Sequence, residues 1–325
     1  MIGAGWIAHT HAERLRELPA ATLTAVADVE LGRARELAQE PAAAAYESWA
    51  EMLHEHERGL DAVFVCTPPQ HHREATIAAL ELGIPVYLEK PIARTREDAD
   101  AIVDAVARTG ALCAVGYQWH SLAAVERIRD ELAEQSLGLV VGRSLGPTTS
   151  RPWLLNRAQS GGQLLERASH HLDLQRLIGG QITAVRATAG WVPLTDRQRS
   201  DGDIEDVLSL ELRFESGATG AVHVAWLRSE IRGIYDVTVA ASTALLTLTL
   251  DPAFALEGVS RGRRVSEREA RPPGVTAIAQ FLDSVRGATC AARMCTPRDA
   301  TATLAVAIAC ERALQSGREV AVQSA

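Results

Sequence analysis

Lysine is almost absent from the sequence. Of the 33 lysine and arginine residues among 325, only Lys90 is a lysine. Arginine can replace lysine wherever a positive charge or a long aliphatic stem is sufficient. Its guanidinium stays protonated in proteins, however, whereas burial can tune an ammonium group to release a proton. The retention of one lysine therefore predicts a role at position 90 that depends on its proton.

Cysteine is also scarce, and the five cysteines are not arranged to bind a metal. No two of them form a C-x-x-C pair, and the closest two lack the second ligand pair that a zinc site requires. An odd number of cysteines is typical of reduced thiols in a cytosolic protein. We therefore expect no metal site, and small, mostly buried thiols at Cys66, Cys113, Cys290, Cys295 and Cys310.

Clustered positive charge and long apolar runs are missing as well. The formal net charge of −8 argues against nonspecific binding of nucleic acid or of an anionic membrane. No apolar run reaches the length of a membrane span, and the first residues do not resemble a secretory signal. The sequence predicts a cytoplasmic protein with neither a membrane nor a nucleic-acid partner.

Short apolar runs alternate with helical patterns up to about residue 117. TLTAVADV, LDAVFVCT, IPVYL and ALCAVGY predict strands, and the segments between them carry apolar residues at helical spacing. This order predicts an α/β domain with a doubly wound parallel sheet. From about residue 180, long alternating strands followed by helices predict an α+β domain with a large, predominantly antiparallel sheet. We place the domains at 1–118 and 119–325, since the chain exceeds a usual single core.

The segment IGAGWIAHTH contains the G-x-G-x-x-A form of the dinucleotide fingerprint. Its first glycine permits a tight turn, and its second lets the backbone approach a pyrophosphate at the positive end of the following helix. The next predicted strand ends in an acid at about the spacing of the residue that binds a ribose 2′-hydroxyl. Together these features favour a Rossmann dinucleotide site over an ordinary glycine turn. Its predicted cofactor contacts are Gly3, Ala4, Gly5, Trp6, Ile7, Asp28 and Arg33.

Asp28 favours NAD over NADP because a carboxylate repels a 2′-phosphate. Arg33, five residues later, can soften this preference by stacking on adenine or by meeting a phosphate, so NADP stays open as an alternative.

The strand before the glycine loop is unusually short. Only Met1 and Ile2 precede Gly3, although this strand belongs in the middle of the sheet and about five residues are normal. Either the start is assigned too late, or the sheet is damaged and binds nucleotide poorly. We favour the first explanation, which predicts a longer N-terminus in mass spectrometry of the native protein.

Three segments together resemble one protein family over the whole chain. The glycine loop, CTPPQHHREATIAALELGIPVYLEKP and GGQLLERASHHLDLQRLIGG are similar to the glucose–fructose oxidoreductase, inositol dehydrogenase and MocA (Gfo/Idh/MocA) family. The resemblance implies an NAD(P)-dependent oxidoreductase acting on sugars, cyclitols or related polyols. It also implies a C-terminal domain whose open-faced sheet builds homodimers or homotetramers.

The resemblance also implies roles for individual residues. It makes Lys90 the active-site lysine and places near the cofactor Cys66, Thr67, Pro68, His72, Glu89 and Lys90. It pairs an acid with a histidine four residues later, here Glu166 and His170, where many relatives have aspartate first. On a helix this spacing lets the carboxylate orient the imidazole. A Glu–His pair that only stabilises the helix is the alternative, and His171, about 100° round the helix, is predicted to pack.

Two further segments supply candidate substrate contacts. VGYQWHSLAAVERIRDEL resembles the family's link between domains, with a histidine where an arginine often stands, and residues 149–162 are predicted to form a loop over the cleft. The candidates are Gln118, Trp119, His120, Arg151, Trp153 and Asn156, although a buried linker and a packing tryptophan are equally consistent. The histidines at 9, 11, 54, 56 and 223 lack companions at ligand spacing, and 261–272 is predicted to be a solvated hairpin or loop.

These features predict a dehydrogenase in which His170 accepts a hydroxyl proton and Lys90 stabilises the developing alkoxide. An unperturbed lysine titrates at about 10.4, so we expect histidine to be the base and lysine the electrostatic partner. Two alternatives remain, an epimerase or glycosidase that retains its cofactor and a non-catalytic regulator that senses sugar or nucleotide. Release of reduced cofactor during turnover separates the dehydrogenase from the epimerase or glycosidase, and an absorbance assay with NAD and a panel of polyols distinguishes the regulator.

Overall fold

A computed structural model describes residues 1–18, 21–39, 43–56, 59–148, 151–192, 203–228, 230–288 and 294–323. The chain divides into two units. The first unit comprises Met1–Ser121 and Pro273–Thr301, and the second unit comprises Leu122–Pro272 and Ala302–Ala325. In the part that the structure describes, no helix is both long enough and apolar enough to span a membrane.

The predicted apolar runs of the first unit form short parallel strands. β1·β2 and β3·β4·β5 pair in parallel, and four of the five strands are fully buried, as expected where helices cover both faces. The strands are β1 (Ala25–Ala27), β2 (Ala44–Tyr46), β3 (Val63–Val65), β4 (Val86–Leu88) and β5 (Cys113–Val115).

Ile2 joins the two groups of strands into one sheet. It bridges Ala27 on one side and Val65 on the other, both in parallel. The Ile2 amide donates to the Phe64 carbonyl at 2.8 Å, and the Ile2 carbonyl accepts from the Cys66 amide at 2.7 Å. The short first strand therefore occupies the central place that the sequence assigns to it.

Five helices follow the strands of the first unit. They are α1 (Trp6–Arg16), α2 (Leu31–Ala38), α3 (Trp49–His56), α4 (His72–Glu81) and α5 (Arg96–Thr109), with 3-10 turns at Pro69–His71 and Gln118–Ser121. Local sequence explains the ends of α5. The Thr95 side chain accepts from the Asp98 amide at its start, and Gly110 adopts φ +69° at its end.

A late segment of the chain completes the core of the first unit. Helix α9 (Pro273–Val285) contributes Ile278 and Phe281, both fully buried, and the Phe281 ring meets Phe64 edge-on at 5.8 Å. The predicted domain boundary assigns this helix to the second domain because it follows residue 118 in the chain. Hydrophobic periodicity shows that the helix has an apolar face, but it does not show which core that face joins. The domain boundary between residues 118 and 119 stays a prediction.

The second unit contains a sheet of nine strands among the described residues, in the order β13-β12-β11-β10-β6-β9-β8-β7-β14. All neighbours are antiparallel except β6 and β9, so the predicted, predominantly antiparallel sheet is confirmed. The strands are β6 (Leu137–Pro147), β7 (Ile182–Gly190), β8 (Val207–Phe214), β9 (Thr219–Leu227), β10 (Ile234–Ala241), β11 (Ala244–Asp251), β12 (Ala255–Ser260), β13 (Arg263–Arg268) and β14 (Val320–Ala321). The predicted hairpin at 261–272 is formed by β12 and β13.

Two helices, α6 (Ala123–Leu132) and α8 (Ser169–Gly179), pack on one face of this sheet. The other helices of this part of the chain are α7 (Arg157–Ser160) and α10 (Pro297–Ser316), the last of which begins in the first unit. A π-helical turn, Leu164–Ala168, leads directly into α8. The segment predicted to be a loop at 149–162 instead contains a 3-10 turn at Pro152–Leu155 and α7, and its residues 149 and 150 lie outside the described residues.

The opposite face of the sheet carries an apolar row across four strands. Leu139 pairs with Ala240, Ala240 with Leu245, and Leu245 with Val259, so the four side chains lie side by side on the face away from the helices. Leu139, Leu245 and Val259 are 41%, 60% and 50% exposed. We call these four residues the apolar row.

Candidate cofactor and catalytic site

Four predicted cofactor-binding residues of the first unit follow the ends of parallel strands. Gly3 follows Ile2, Asp28 follows β1, Thr67 comes two residues after β3, and Lys90 two residues after β4. Because these strands run in parallel, their carboxyl ends lie at one edge of the sheet, where open α/β sheets bind ligands. The structure therefore brings the predicted cofactor residues of this unit to a common edge.

Gly3 is required by the backbone geometry of the loop. Its φ is +89°, and a Cβ at this position would lie 2.8 Å from the Cys66 carbonyl carbon and 2.9 Å from the Thr67 amide nitrogen. Both neighbours are backbone atoms and cannot rotate away. A side chain at position 3 would therefore push apart the two loops that meet at the sheet edge.

Gly5 is different, because a Cβ there would meet no protein atom within 4 Å. It precedes the eleven residues of α1 and has an ordinary negative φ of −77°, so neither strain nor packing requires glycine. Open space above the N-terminus of a helix is what a pyrophosphate needs. Ala4, Trp6 and Ile7 complete this turn, and Trp6 is 60% exposed.

Asp28 is held by the glycine loop itself. Its Oδ2 accepts from the Ala4 amide at 2.7 Å, and its Oδ1 accepts from the Glu30 amide at 2.9 Å. These bonds fix a carboxylate beside the loop, where it can receive a ribose hydroxyl. Arg33 forms an exposed ion pair with Glu30 at 2.9 Å, so its guanidinium already faces an acid. This arrangement supports the prediction of NAD.

The loop after β3 is fastened by a buried histidine. Nε2 of His72 lies 2.9 Å from the Thr67 carbonyl, and its Nδ1 lies 3.2 Å from the Ile92 carbonyl in the loop after β4. Burial lowers the pKa of His72, and the side chain is completely enclosed. His72 thus connects the two loops, and its predicted contact with the cofactor stays a prediction, as do those of Thr67 and Pro68.

Cys66 is not poised as a nucleophile. The residue is buried, and burial raises the pKa of its thiol well above the ordinary value. The thiolate is the reactive form of cysteine. We therefore expect Cys66 to contact the cofactor through its backbone rather than through its thiol. Cys66, Cys113, Cys295 and Cys310 are buried and unpaired in disulfides, as predicted, and Cys290 lies outside the described residues.

Glu89 is fixed by a partner that sequence spacing does not reveal. Nε2 of His11 lies 2.7 Å from Oε1 of Glu89, while Oε2 of Glu89 accepts from the Lys90 amide at 3.0 Å. The sequence gives His11 no companion at metal-ligand spacing, and the fold instead pairs it with a carboxylate 78 positions away. Glu89 packs closely against Gly116, where a Cβ would lie 3.0 Å from Oε1 of Glu89. This contact restricts the position of the carboxylate.

The His11 contact determines the charge of Glu89. Burial, the largest influence, favours the neutral acid, but the His11 hydrogen bond, the His11 charge and Lys90 overcome it and lower the pKa of Glu89 from 4.5 to about 2. Glu89 is thus a carboxylate at neutral pH, held directly beside the backbone of Lys90. Lys90 itself is partly exposed.

Replacing His11 by leucine is expected to reverse the pH dependence of stability. In the wild type the depressed pKa of Glu89 contributes stability that is present above pH 4.5 and lost as pH falls towards 2. In His11→Leu the imidazole no longer opposes the effect of burial, so the pKa of Glu89 rises. The free energy of unfolding at neutral pH therefore falls by about 3 kcal/mol, and it recovers as the pH is lowered and Glu89 becomes protonated.

Urea unfolding between pH 3 and pH 8 measures this effect. His9→Leu is the matched control, since His9 lies on the same helix and is partly exposed. An equal pH slope for the His11 and His9 variants would contradict the assignment.

The link residues occupy a 3-10 turn at the end of the first part of the chain. Gln118 and Trp119 are partly exposed, whereas His120 is buried. This burial supports the linker alternative for His120, while Gln118 and Trp119 stay candidate substrate contacts.

In the second unit, Glu166 and His170 are close in sequence on one helical segment. Glu166 lies in the π-helical turn and His170 in the first turn of α8, and both are partly exposed. The turn is therefore wider than the regular helix that the spacing predicts. Such π-helical turns are frequent at functional sites. His171 is buried, and burial lowers its pKa to about 4, in agreement with its predicted packing role.

The remaining substrate candidates lie before this helix. Trp153 is 39% exposed and Arg151 is partly exposed. The Asn156 side chain caps α7 by accepting from the Gln159 amide at 3.2 Å, which gives it a structural role. Contacts of Arg151 and Trp153 with substrate stay predictions.

Comparisons with known proteins agree with the fold of both units. A family model described as an oxidoreductase family with an NAD-binding Rossmann fold matches residues 1–117, and one described as the GFO/IDH/MocA C-terminal domain matches residues 132–240. The structure of the WlbA dehydrogenase from Bordetella pertussis, in complex with NADH and UDP-GlcNAcA, shares the fold. Its TM-score is 0.81 at 20% identity, with 100% of this chain and 98% of that chain covered.

Curated relatives include two inositol dehydrogenases. The scyllo-inositol 2-dehydrogenase (NAD(+)) of Bacillus subtilis is 28% identical over 237 residues, which is 69% of this chain and 66% of the relative. The myo-inositol 2-dehydrogenase of Thermotoga maritima is 27% identical over 224 residues, 68% of this chain and 66% of the relative. The chain thus matches just under two thirds of the length of both relatives.

Proposed function

Because the chain belongs to the Gfo/Idh/MocA family of oxidoreductases, we propose that it is an NAD-dependent dehydrogenase of a sugar, cyclitol or related polyol. The observation that carries the proposal is the common sheet edge. There a glycine loop, a held carboxylate and the one lysine of the chain follow the ends of neighbouring parallel strands. This combination fits a dinucleotide with a reactive ammonium group nearby.

The residues at this edge fit NAD. Gly5 leaves open space at the start of α1, where the helix N-terminus would hold the pyrophosphate. Asp28 presents an ionisable carboxylate beside the loop, where it would bind a ribose hydroxyl and repel a 2′-phosphate. Bound NAD supplies the hydride acceptor for the reaction.

The protein supplies the proton transfer and the stabilisation of charge. In the proposed reaction, His170 accepts the substrate hydroxyl proton, and the carbon loses its hydrogen as hydride, so that a secondary alcohol becomes a ketone. Lys90 donates a hydrogen bond to the oxygen as negative charge develops. Glu166 orients His170 from the preceding turn, and the Glu89–His11 pair holds the backbone of Lys90.

The similarity to two inositol dehydrogenases supports a polyol substrate. The proposal includes a homo-oligomer assembled through the open face of the sheet, where the apolar row lies. It also includes a cytoplasmic location, in agreement with the free thiols at the four described cysteines.

The proposal is tested by mixing the purified protein with NAD or NADP and a panel of polyols while following the absorbance of reduced nicotinamide. We expect NAD reduction with at least one polyol. Product formed without release of reduced cofactor would instead identify a retained-cofactor epimerase or glycosidase. Binding of both ligands without any product would identify a regulator, and no binding of NAD would overturn the cofactor assignment.

A further inference from the structure

An arginine that the proposed reaction does not use lies between the acid and the histidine of the second unit. Arg167 follows Glu166 in the π-helical turn, and its Nη2 donates to the Tyr235 hydroxyl on β10 at 3.1 Å. His171, four residues later, lies against Gly142 of β6. Arg167 therefore projects from the sheet-facing side of the helix, next to the side that carries Glu166 and His170.

The position of Tyr235 is built into the sheet. A Cβ on either Gly146 or Gly233 would collide with its ring or hydroxyl, so two glycines make room for the ring to lie across the strands. Tyr235 pairs with Ser144, which is buried on the helix side of the sheet. The backbone of Gly146 and Gly233 thus fixes the position of the Tyr235 hydroxyl that accepts from Arg167.

No ion pair joins Arg167 to an acid among the described residues, although the charge of the neighbouring Glu166 acts on it. Its Nη1 is enclosed without a hydrogen-bond partner. Its Nη2 donates to an uncharged hydroxyl, and burial lowers the pKa of the guanidinium. Two other half-buried arginines of the second unit form ion pairs, Arg143 with Asp236 and Arg157 with Glu205. His171 cannot serve as a counter-ion, because an imidazole is either neutral or positively charged.

A buried cation without a counter-ion is costly to maintain unless a ligand supplies the missing charge. The Arg167 side chain stays partly exposed, and within the described residues its Nε makes no hydrogen bond. The edge formed by Nε and Nη2 can therefore receive two oxygens of one anionic group. Guanidinium recognises carboxylate in this planar, two-point manner.

We propose that Arg167, oriented by Tyr235, binds an anionic group on the substrate, and that the substrate is a sugar acid whose carboxylate pairs with this guanidinium. The inference rests on the proposed function, since it places the carboxylate beside the hydroxyl that is oxidised. A neutral sugar would leave Arg167 unpaired and be bound more weakly. Selectivity of this kind is strong when a site is built to pair with a group that the competitor lacks.

Matched pairs of compounds test the proposal. The wild type is assayed with NAD and glucose against glucuronate, galactose against galacturonate, and sorbitol against gluconate. We expect kcat/KM for the acid to exceed that for the neutral partner by about 100-fold in at least one pair. Glucose 6-phosphate is included to distinguish a phosphate from a carboxylate as the preferred anion.

Variants then assign the selectivity to the arginine. Arg167→Gln is expected to lower kcat/KM for the acid far more than kcat/KM for the neutral partner, which removes the preference for the acid. Arg167→Lys, which keeps the charge and loses the fork, is expected to lie between the two. Tyr235→Phe is expected to lower the preference with little change in fold. Arg127→Gln is the matched control, because Arg127 forms an exposed pair with Glu131 on α6.

Thermal shift with the same compounds supplies a readout besides activity. Stabilisation of the wild type by the acid, lost in Arg167→Gln, would support the anion site even if no compound reduces NAD, in which case the dehydrogenase proposal alone fails. Equal kcat/KM for acids and neutral sugars would overturn the anion site while the dehydrogenase stands. A preference for acids that persists in a folded Arg167→Gln variant would also overturn it.

Discussion

Lys90→Arg is expected to lose most of its turnover, with kcat reduced about 100-fold or more, although the positive charge is kept. The guanidinium is planar, larger and permanently protonated, so it cannot share a proton with a developing alkoxide in the way that an ammonium can. Steady-state kinetics with the best polyol measures the loss, and titration with NAD in the absence of substrate tests whether the cofactor still binds. We expect cofactor affinity to change little.

Arg96→Lys is the control for the exchange of the two residue types. Arg96 opens α5 and pairs with Asp100 at 2.7 Å on a partly exposed surface, so the substitution should leave kinetics unchanged. If Lys90→Arg retained near-normal activity, the lysine would act only as a positive charge, and the explanation for its unique retention would be lost.

Alanine at Gly3 and alanine at Gly5 are expected to have opposite effects. Gly3→Ala forces a Cβ against the Cys66 backbone at 2.8 Å and places alanine at φ +89°, so we expect a loss of about 3 kcal/mol in unfolding free energy. Gly5→Ala meets no protein atom and strains no dihedral, so the fold should keep its stability. The new methyl would occupy space needed by the pyrophosphate, and NAD affinity should fall about tenfold.

Thermal unfolding and NAD titration of both variants distinguish the two roles. The contrast separates a glycine required by the chain from one required by the ligand. Undiminished NAD affinity in Gly5→Ala would show that the open space at the start of α1 is not the pyrophosphate site. Normal stability in Gly3→Ala would show that the loops after Ile2 and β3 can separate without cost.

Local patterns predicted most of the fold because they reflect local physics. Apolar strands such as Val63–Val65 and Val86–Leu88 are rich in β-branched residues, and the period of α5 follows from its buried alanines and Ile102. The strand β2 is Ala-Ala-Tyr, a composition that does not favour a strand, and its pairing with β1 decides its conformation. The strand β6 contains three glycines, so its composition does not favour a strand either, and pairing with β9 and β10 decides its conformation.

The residues of the candidate site also differ in whether local sequence patterns can locate them. Gly3, Asp28 and Lys90 follow strand ends, so pattern and spacing locate them. The partners His11 of Glu89 and Tyr235 of Arg167 are 78 and 68 residues away in sequence. Such pairs are formed only by the tertiary fold, and no spacing rule applied to one sequence can identify them.

One enclosed imidazole governs two chemically important loops. Because each ring nitrogen of His72 lies within hydrogen-bond distance of a carbonyl from one of these loops, the segment after β3 and the segment that carries Lys90 both pack against the ring. A substitution at position 72 would therefore disturb nucleotide affinity and turnover together, as if two separate mutations had been made. Loss of activity in a His72 variant would then reflect displacement of the two loops. Mutational surveys should not count this histidine among the acids and bases of the reaction.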